Sequence, residues 1–471
     1  MSEETTTRVT DVFAVSRAWL SVPVAVVLAG AVLGFAPLST DATRMLAITL
    51  FCVVLWVGSP VRPWFTALLC IGLVGVTFSP SLALTGFQLP ATWLVVVGIL
   101  VGEATRESGL ASLVERLAVR WMPAGVASDA RSAYRYLLVV TSFGGLAFAV
   151  LVPSSLVRVL VLAPILHSLG GLFSDSRARV GLLLGPLFAT FYGASGILTG
   201  SLANIIVTGL LEASGGPAIT WTEWAVWLAP VMGVGRVVVV VAVALALYRP
   251  ADGATVDVET PDRADAVSLT STQRRMALFL LVGVVVWATD FLHGLHPLFG
   301  AVVVALLAFA PRIGVVGPEA VERANFSILF FLGAIFAIAE GLRRVGFTEL
   351  AANALLDSVP SDPSLALVLA FVVAVSLALT FVMEGLAVAS VLTPILVAFA
   401  ESVGVSVVPV AMMEAVALNA YFFPYQSAVL VAILGLDVVD AAELTRMASA
   451  CSIATLALLV PIQIALFSLL F

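Results

Sequence analysis

From Ala18 to Phe471 the chain is a succession of apolar stretches divided by short polar loops. A helix needs ~20 apolar residues to cross the hydrocarbon core of a bilayer, which leaves room here for about eleven spans. The sequence has 471 residues, 61% hydrophobic and 11% charged. Soluble domains run near 45–50% apolar and 25% charged, and could not bury this much apolar surface. The expected fold class is an all-α polytopic membrane protein.

The net charge of −7 is spread over loops and helix ends rather than gathered in a block, so no nucleic-acid surface is expected. Every basic residue is arginine. Cys52, Cys70 and Cys451 lie in separate apolar segments without CxxC spacing, which indicates neither a disulfide framework nor a metal site. Residues 1–17 are polar and acidic, lack the basic start and cleavage site of a signal peptide, and are expected to form a cytoplasmic tail.

Hydropathy places spans near Trp19–Phe35, Met45–Gly58, Trp64–Phe78 and Trp93–Thr105, followed by an arginine-rich loop. The next apolar stretch, Tyr136–His167, is interrupted by Gly144, Gly145 and Pro153, which suits a re-entrant hairpin better than a straight span. A helix broken at FYGASGILTGSLAN follows near 180–212, then a span from Trp224 to Tyr248. The polar segment 249–273 is the expected boundary between a first repeat, 18–248, and a second, 274–471. In the second repeat a hairpin is expected near 364–400 and a broken helix near 407–434. Glu103, Arg106 and Gly109 recur in spacing as Glu340, Arg343 and Gly346, and LVLAPIL ending at Leu166 recurs as SVLTPIL ending at Leu396.

Cytoplasmic loops are enriched in positive charge. The loop after the first landmark holds Arg116, Arg120, Arg131 and Arg135, whereas its counterpart, Leu350–Leu365, holds none. Equivalent loops are thus expected on opposite sides: an inverted-topology repeat in the cell membrane, N-terminus cytoplasmic and C-terminus outside. Such repeats place a substrate site where broken helices meet near the midplane. Four interruptions are candidates: Pro153–Arg158, Gly193–Asn204, Glu384–Ala387 and Phe423–Ser427. Helix N-termini exposed at such breaks attract anions.

Several stretches resemble, in order, the divalent anion:sodium symporter family, carriers of dicarboxylates, citrate and sulfate. They are LWVGSPVRPWFTALL, TWLVVVGILVGEATRESGL and FYGASGILTGSLANIIVTGLL. The resemblance covers nearly the whole chain. It implies a secondary transporter of small anions, a homodimer, and elevator-like alternating access. The scaffold would be the spans near Trp19–Thr105 and Met276–Gly341, and the mobile part the hairpins with the broken helices. In the family each hairpin tip carries Ser-Asn-Thr ten residues before Pro-Ile, and those tips hold carboxylates and sodium. Here the same count lands on Ser154-Ser155-Leu156 and Glu384-Gly385-Leu386, with no asparagine at either. Sodium coupling is therefore not expected, proton coupling or exchange taking its place, and no cofactor is expected. The first break keeps Gly200, Ser201 and Asn204, with Thr199 beside them; the second keeps Ser427 in the threonine position, with Gln426 beside it and Leu430 where asparagine would stand. These residues, with Ser154, Ser155 and Gly385, are the candidate substrate contacts.

Charge replaces the missing tip residues. Arg158 lies in an apolar run where an arginine costs ~2.5–3.5 kcal/mol on insertion scales unless it finds a partner or a wet cavity. It is expected to bind the substrate anion, with Glu384 as counter-ion or proton carrier. The plainer alternative is a structural Arg158–Glu384 salt bridge. Glu103–Arg106 and Glu340–Arg343 read as interfacial pairs, Arg236 needs a partner that the sequence does not name, and Glu414 and Asn419 are candidates to line the cavity. Asp290, His293 and His296 read as a solvated turn. Two other functions compete. Gly193-Ala-Ser195-Gly196 matches the GxSG of rhomboid-like proteases, but no histidine falls within a later span, so an enzyme is not expected. Arsenite carriers and ion antiporters share the hairpin architecture, but a cation antiporter would favour paired carboxylates in the cavity.

Overall fold

The computed structural model describes residues 18–110, 117, 119–257, 269–360, 362–436 and 438–471. The expected N-terminal tail, Arg116 and positions 258–268 of the linker lie outside the described residues. Among those described the chain is all-helical, with a single isolated β-bridge, Phe173 to Val256. Five helical stretches are long and apolar enough to cross a membrane, among them Thr40–Gly58, Ala130–Leu151 and Trp221–Leu247, and shorter apolar helices of 10–17 residues accompany them.

Counting helices of seven residues or more, the order begins α1 (Ser21–Phe35), α2 (Thr40–Gly58), α3 (Pro63–Thr77) and α4 (Pro90–Ser108). Then come α5 (Ala130–Leu151), α6 (Ser155–Gly171), α7 (Ser176–Tyr192), α8 (Leu202–Ala213), α9 (Trp221–Leu228) and α10 (Arg236–Leu247). The second half gives α11 (Ser271–Ala288), α12 (Leu298–Phe309), α13 (Ser327–Arg344), α14 (Phe347–Leu356), α15 (Leu365–Thr380) and α16 (Gly385–Ser402). It ends with α17 (Val407–Leu418), α18 (Ala428–Leu434), α19 (Ala441–Ala454) and α20 (Val460–Leu470). Proline at the first or second helical position opens α3 and α20, where the missing amide hydrogen would be unsatisfied in any case.

The helices form two compact units that interleave along the chain. One comprises 1–93, 206–218 and 325–414; the other comprises 94–205, 219–324 and 415–471. In the first unit α1 packs on α2, α3 on α13, and α16 on α13, α14 and α15. Every residue of α13 from Phe331 to Leu342 is buried, as expected of a helix apolar on all sides. Its polar end is tied by Glu340, which accepts from Arg343 Nε at 2.9 Å and Arg344 Nε at 2.6 Å.

In the second unit α7 lies against both arms of the α5–α6 hairpin, α10 against α7, and α19 against α10. Leu137, Leu182, Phe188, Val240, Ala244 and Met447 belong to the shared core. Two π-helical segments follow the two breaks: Ala229–Gly235 joins α9 to α10, and Thr455–Leu459 joins α19 to α20.

The start of α7 is anchored by Asp175. Asp175 accepts from Ala251 N at 2.6 Å and caps the helix by accepting from Arg177 N at 2.7 Å. These amides, the Ala251 N–H foremost, hold its carboxyl below the usual carboxylate range against a partial desolvation that opposes them. A depressed folded-state pKa contributes stability above the unfolded value and loses it as pH falls. In detergent, Asp175→Ala should therefore cost about 1 kcal/mol in thermal unfolding. The gap in melting temperature between wild type and Asp175→Asn should be full above about pH 5 and close below about pH 4.

Candidate functional site

The first hairpin turns within three residues, Val152–Pro153–Ser154, between α5 and α6. Ser154 caps α6, its hydroxyl accepting from Val157 N at 3.4 Å. The turn seats on α4 where that helix has no side chains: a Cβ on Gly98 would stand 3.3 Å from Pro153 Cγ, and one on Gly102 3.2 Å from Val157 Cγ2.

One turn into α6, Arg158 is wholly buried at 0% exposure. Its Nε donates to Thr190 Oγ1 at 3.1 Å and its Nη1 to the Val152 carbonyl at 2.5 Å. Nη2 reaches Ser155 Oγ at 2.9 Å, the Thr190 carbonyl at 2.9 Å and the Gly200 carbonyl at 2.8 Å. Ser155 Oγ also donates to Gly200 O, at 3.1 Å. The guanidinium thus binds the C-cap carbonyl of α5, a last-turn carbonyl of α7 and the break beyond it. Helix ends carry such unpaired carbonyls and a partial negative charge, which a cation complements. All five of these acceptors are neutral oxygens.

Between α7 and α8 the chain makes two short 3₁₀ turns, Gly193–Gly196 and Leu198–Gly200. Asn204 holds them from the first turn of α8, its Nδ2 lying 3.3, 3.2 and 2.9 Å from the carbonyls of Ala194, Ser195 and Ile197. Gly196 lies so close to the π segment that a Cβ there would come within 2.6 Å of Gly233 N. Thr199 Oγ1 accepts from the Trp221 indole at 3.1 Å.

The π segment ends at Gly235 and delivers Arg236 to the same region at 1% exposure. Nη1 donates to Ser195 Oγ at 2.9 Å and Asn419 O at 3.4 Å, and Nη2 to Val416 O at 3.0 Å. The guanidinium carbon lies 5.7 Å from the Tyr192 ring centre, within cation–π range. Its Nε has no hydrogen-bond partner.

Asn419, just past α17, joins the two breaks. Its Oδ1 accepts from Ser201 Oγ at 3.0 Å, and its Nδ2 donates to Ala415 O at 2.7 Å and Asn204 Oδ1 at 3.3 Å. Gln426 folds the second break by accepting from Phe422 N and Phe423 N at 2.6 and 2.8 Å, and Ser427 caps α18. Ser155, Arg158, Gly200, Ser201 and Asn204 are therefore brought together, whereas the side-chain bonds of Thr199, Gln426 and Ser427 hold local backbone or a tryptophan.

Glu384 and Gly385 belong to the other unit. Glu384 caps α16 by accepting from Leu386 N at 2.8 Å, and Gly385 is the buried first residue of that helix. Glu414, also in that unit, is wholly buried and accepts from Thr393 Oγ1 at 3.0 Å through Oε1, with Oε2 unpartnered.

The profile of the sodium:sulfate symporter transmembrane region matches residues 16–471. The chain belongs to this family, the divalent anion:sodium symporters. The chain is 25% identical over 331 residues to a Cupriavidus necator protein named only as a membrane protein, a match covering 65% of this chain and 63% of that one. It is 24% identical over 365 residues to the L-tartrate/succinate antiporter of Escherichia coli, covering 74% and 72%. Among solved structures, the YdaH transporter of Alcanivorax borkumensis superposes with a TM-score of 0.58 at 15% identity, covering 92% of this chain and 99% of that one. That likeness speaks to the fold.

Membership in a transporter family sets the GxSG motif in its place. Ser195 Oγ lies 2.9 Å from Tyr192 O and 3.0 Å from Met232 O and accepts from Arg236 Nη1 at 2.9 Å. One expectation is corrected: Asp290 is buried rather than solvated, because its carboxylate accepts the first amides of α9, from Trp221 N at 2.6 Å and Thr222 N at 3.3 Å. Among the described residues no group of three His, Cys, Asp or Glu could hold a metal ion.

Sequence reasoning did not find Thr190, Ser195 as an arginine partner, or the bridging role of Asn419. Arg236 was visible as a charge in a valine run; its partners lie 41 and about 180 residues away along the chain. Asn204→Ala should destabilise the protein by about 1–3 kcal/mol, because it strands buried carbonyls of the break. Thermal unfolding in detergent measures this, and Asn204→Asp, which lacks the amide donor, should lose as much.

Proposed function

We propose that this family member is a secondary carrier of small dianions, of dicarboxylate or sulfate type. It works by elevator-like alternating access as a homodimer of inverted repeats, and is driven by exchange or a proton rather than by sodium. The observation that carries the proposal is Arg158, a wholly buried guanidinium at the hairpin tip whose hydrogen-bond acceptors are all neutral. A buried charge without an opposite charge is costly, and a dianion arriving at the tip relieves that cost. Exchange is favoured by the E. coli relative, itself an L-tartrate/succinate antiporter.

In this reading Arg158 supplies the charge, and Ser154, Ser155, Gly200 and Ser201 supply the polar groups nearest to it. The amide-bearing N-termini of α6 and α8 add favourable dipole ends. Asn204, Thr199, Gln426 and Ser427 act one step back, by fixing the breaks. Glu384 and Gly385 form the corresponding tip of the second hairpin, where Glu384 serves as counter-ion or proton carrier between substrate cycles.

Reconstituted vesicles test the proposal. Labelled succinate and sulfate should enter vesicles preloaded with unlabelled dianion, and an imposed sodium gradient should add nothing. Arg158→Gln should cut exchange roughly ten- to a hundredfold, as loss of one charge-assisted contact predicts. Undiminished uptake by Arg158→Gln would sink the assignment, and sodium-driven uptake would sink the coupling.

A further inference from the structure

Both interrupted helices stop inside the apolar body on carbonyls that the break deprives of intrahelical partners, and a guanidinium meets each end. Arg158 serves Thr190 at the end of α7, while Arg236 serves Val416 and Asn419 at the end of α17. The surroundings of Arg236 are those of a cation site. They comprise two main-chain carbonyl oxygens at 3.0 and 3.4 Å, a serine hydroxyl at 2.9 Å and the face of an aromatic ring. Half-helix C-termini and unwound carbonyls are the groups with which broken-helix transporters coordinate free monovalent cations. Each hydrogen-bond partner of the guanidinium accepts from it, and the Tyr192 ring adds its electron-rich face.

The fit of that guanidinium is imperfect in an informative way. Arginine brings five donors in a planar fork, and this cage leaves the buried Nε with no acceptor. A cage shaped around a guanidinium would satisfy that nitrogen. The side chain enters from the end of the π segment, whose altered register begins α10 at Arg236 and whose Gly233 packs against Gly196 of the break.

We propose that Arg236 is a built-in cation: its guanidinium fills, by covalent attachment, an oxygen cage at the C-terminal end of α17 that would otherwise take a free monovalent cation. The break is then neutralised in every state of the cycle without sodium. This inference rests on the hydrogen bonds of Arg236 and not on the identity of the transported anion, so its test uses no substrate.

Melting temperatures of the purified full chain in detergent are measured in sodium chloride, choline chloride, and choline chloride with low-millimolar guanidinium chloride. The wild type should melt at the same temperature in all three. Arg236→Ala should melt lower in choline and regain part of the loss, saturably, in sodium or in guanidinium, as a ligand of the folded state does. Saturable stabilisation of the wild type by sodium over choline overturns the proposal, as does an Arg236→Ala variant that responds to neither cation. Should Arg236→Ala not fold, Arg236→Lys and Arg236→Gln decide: an ammonium in the cage should restore melting well above the glutamine variant. Equal loss in the two would mean that a cation is not what the cage requires.

Discussion

A helix interrupted within an apolar body leaves carbonyls that neither the helix nor water can satisfy, and much of this structure is arranged to answer that deficit. Lipid accepts no hydrogen bonds, so irregular backbone survives there only when protein or a wet cavity pairs it. Two arginines share in that pairing in the second unit. Arg158 collects the ends of α5 and α7 and the Gly200 carbonyl, while Arg236 collects the end of α17 and the Ser195 hydroxyl. Asn204 and Asn419 do for the breaks, with neutral amides, what the arginines do for the helix ends. Positive charge is thus built into the breaks themselves, at the ends of α7 and α17.

Close approach makes this pairing geometrically feasible. The first hairpin tip meets α4 over Gly98 and Gly102, and the first break meets the π segment over Gly196 and Gly233. A Cβ on Gly196 would come within 2.6 Å of Gly233 N, and one on Gly98 or Gly102 would stand 3.3 or 3.2 Å from Pro153 or Val157. Glycine in these segments therefore permits close approach of the backbones, most tightly at Gly196.

The interruptions were legible because they rest on local signals. Pro153 and the glycines of FYGASGILTG announce that a helix cannot continue, and the helices do end at Leu151 and Tyr192 and restart at Ser155 and Leu202. Arg158 was legible as a charge out of place in an apolar run. What it touches was not, since a guanidinium facing Thr190 and Gly200 reads no differently in sequence from one facing a carboxylate. Asp290 illustrates the opposite error: a carboxylate beside two histidines looks like a solvated turn until α9 is seen to start upon it.

The sequence alone determined that the chain is a membrane protein built of apolar helices, where those helices break, and which charges lie among them, because length, hydropathy and backbone-breaking residues act over a few positions. Only the tertiary structure decided which orphaned carbonyl each charge would meet. That choice joins Arg236 to Val416 and Ser201 to Asn419, residues from opposite halves of the chain, and it is fixed by packing, which no local pattern records.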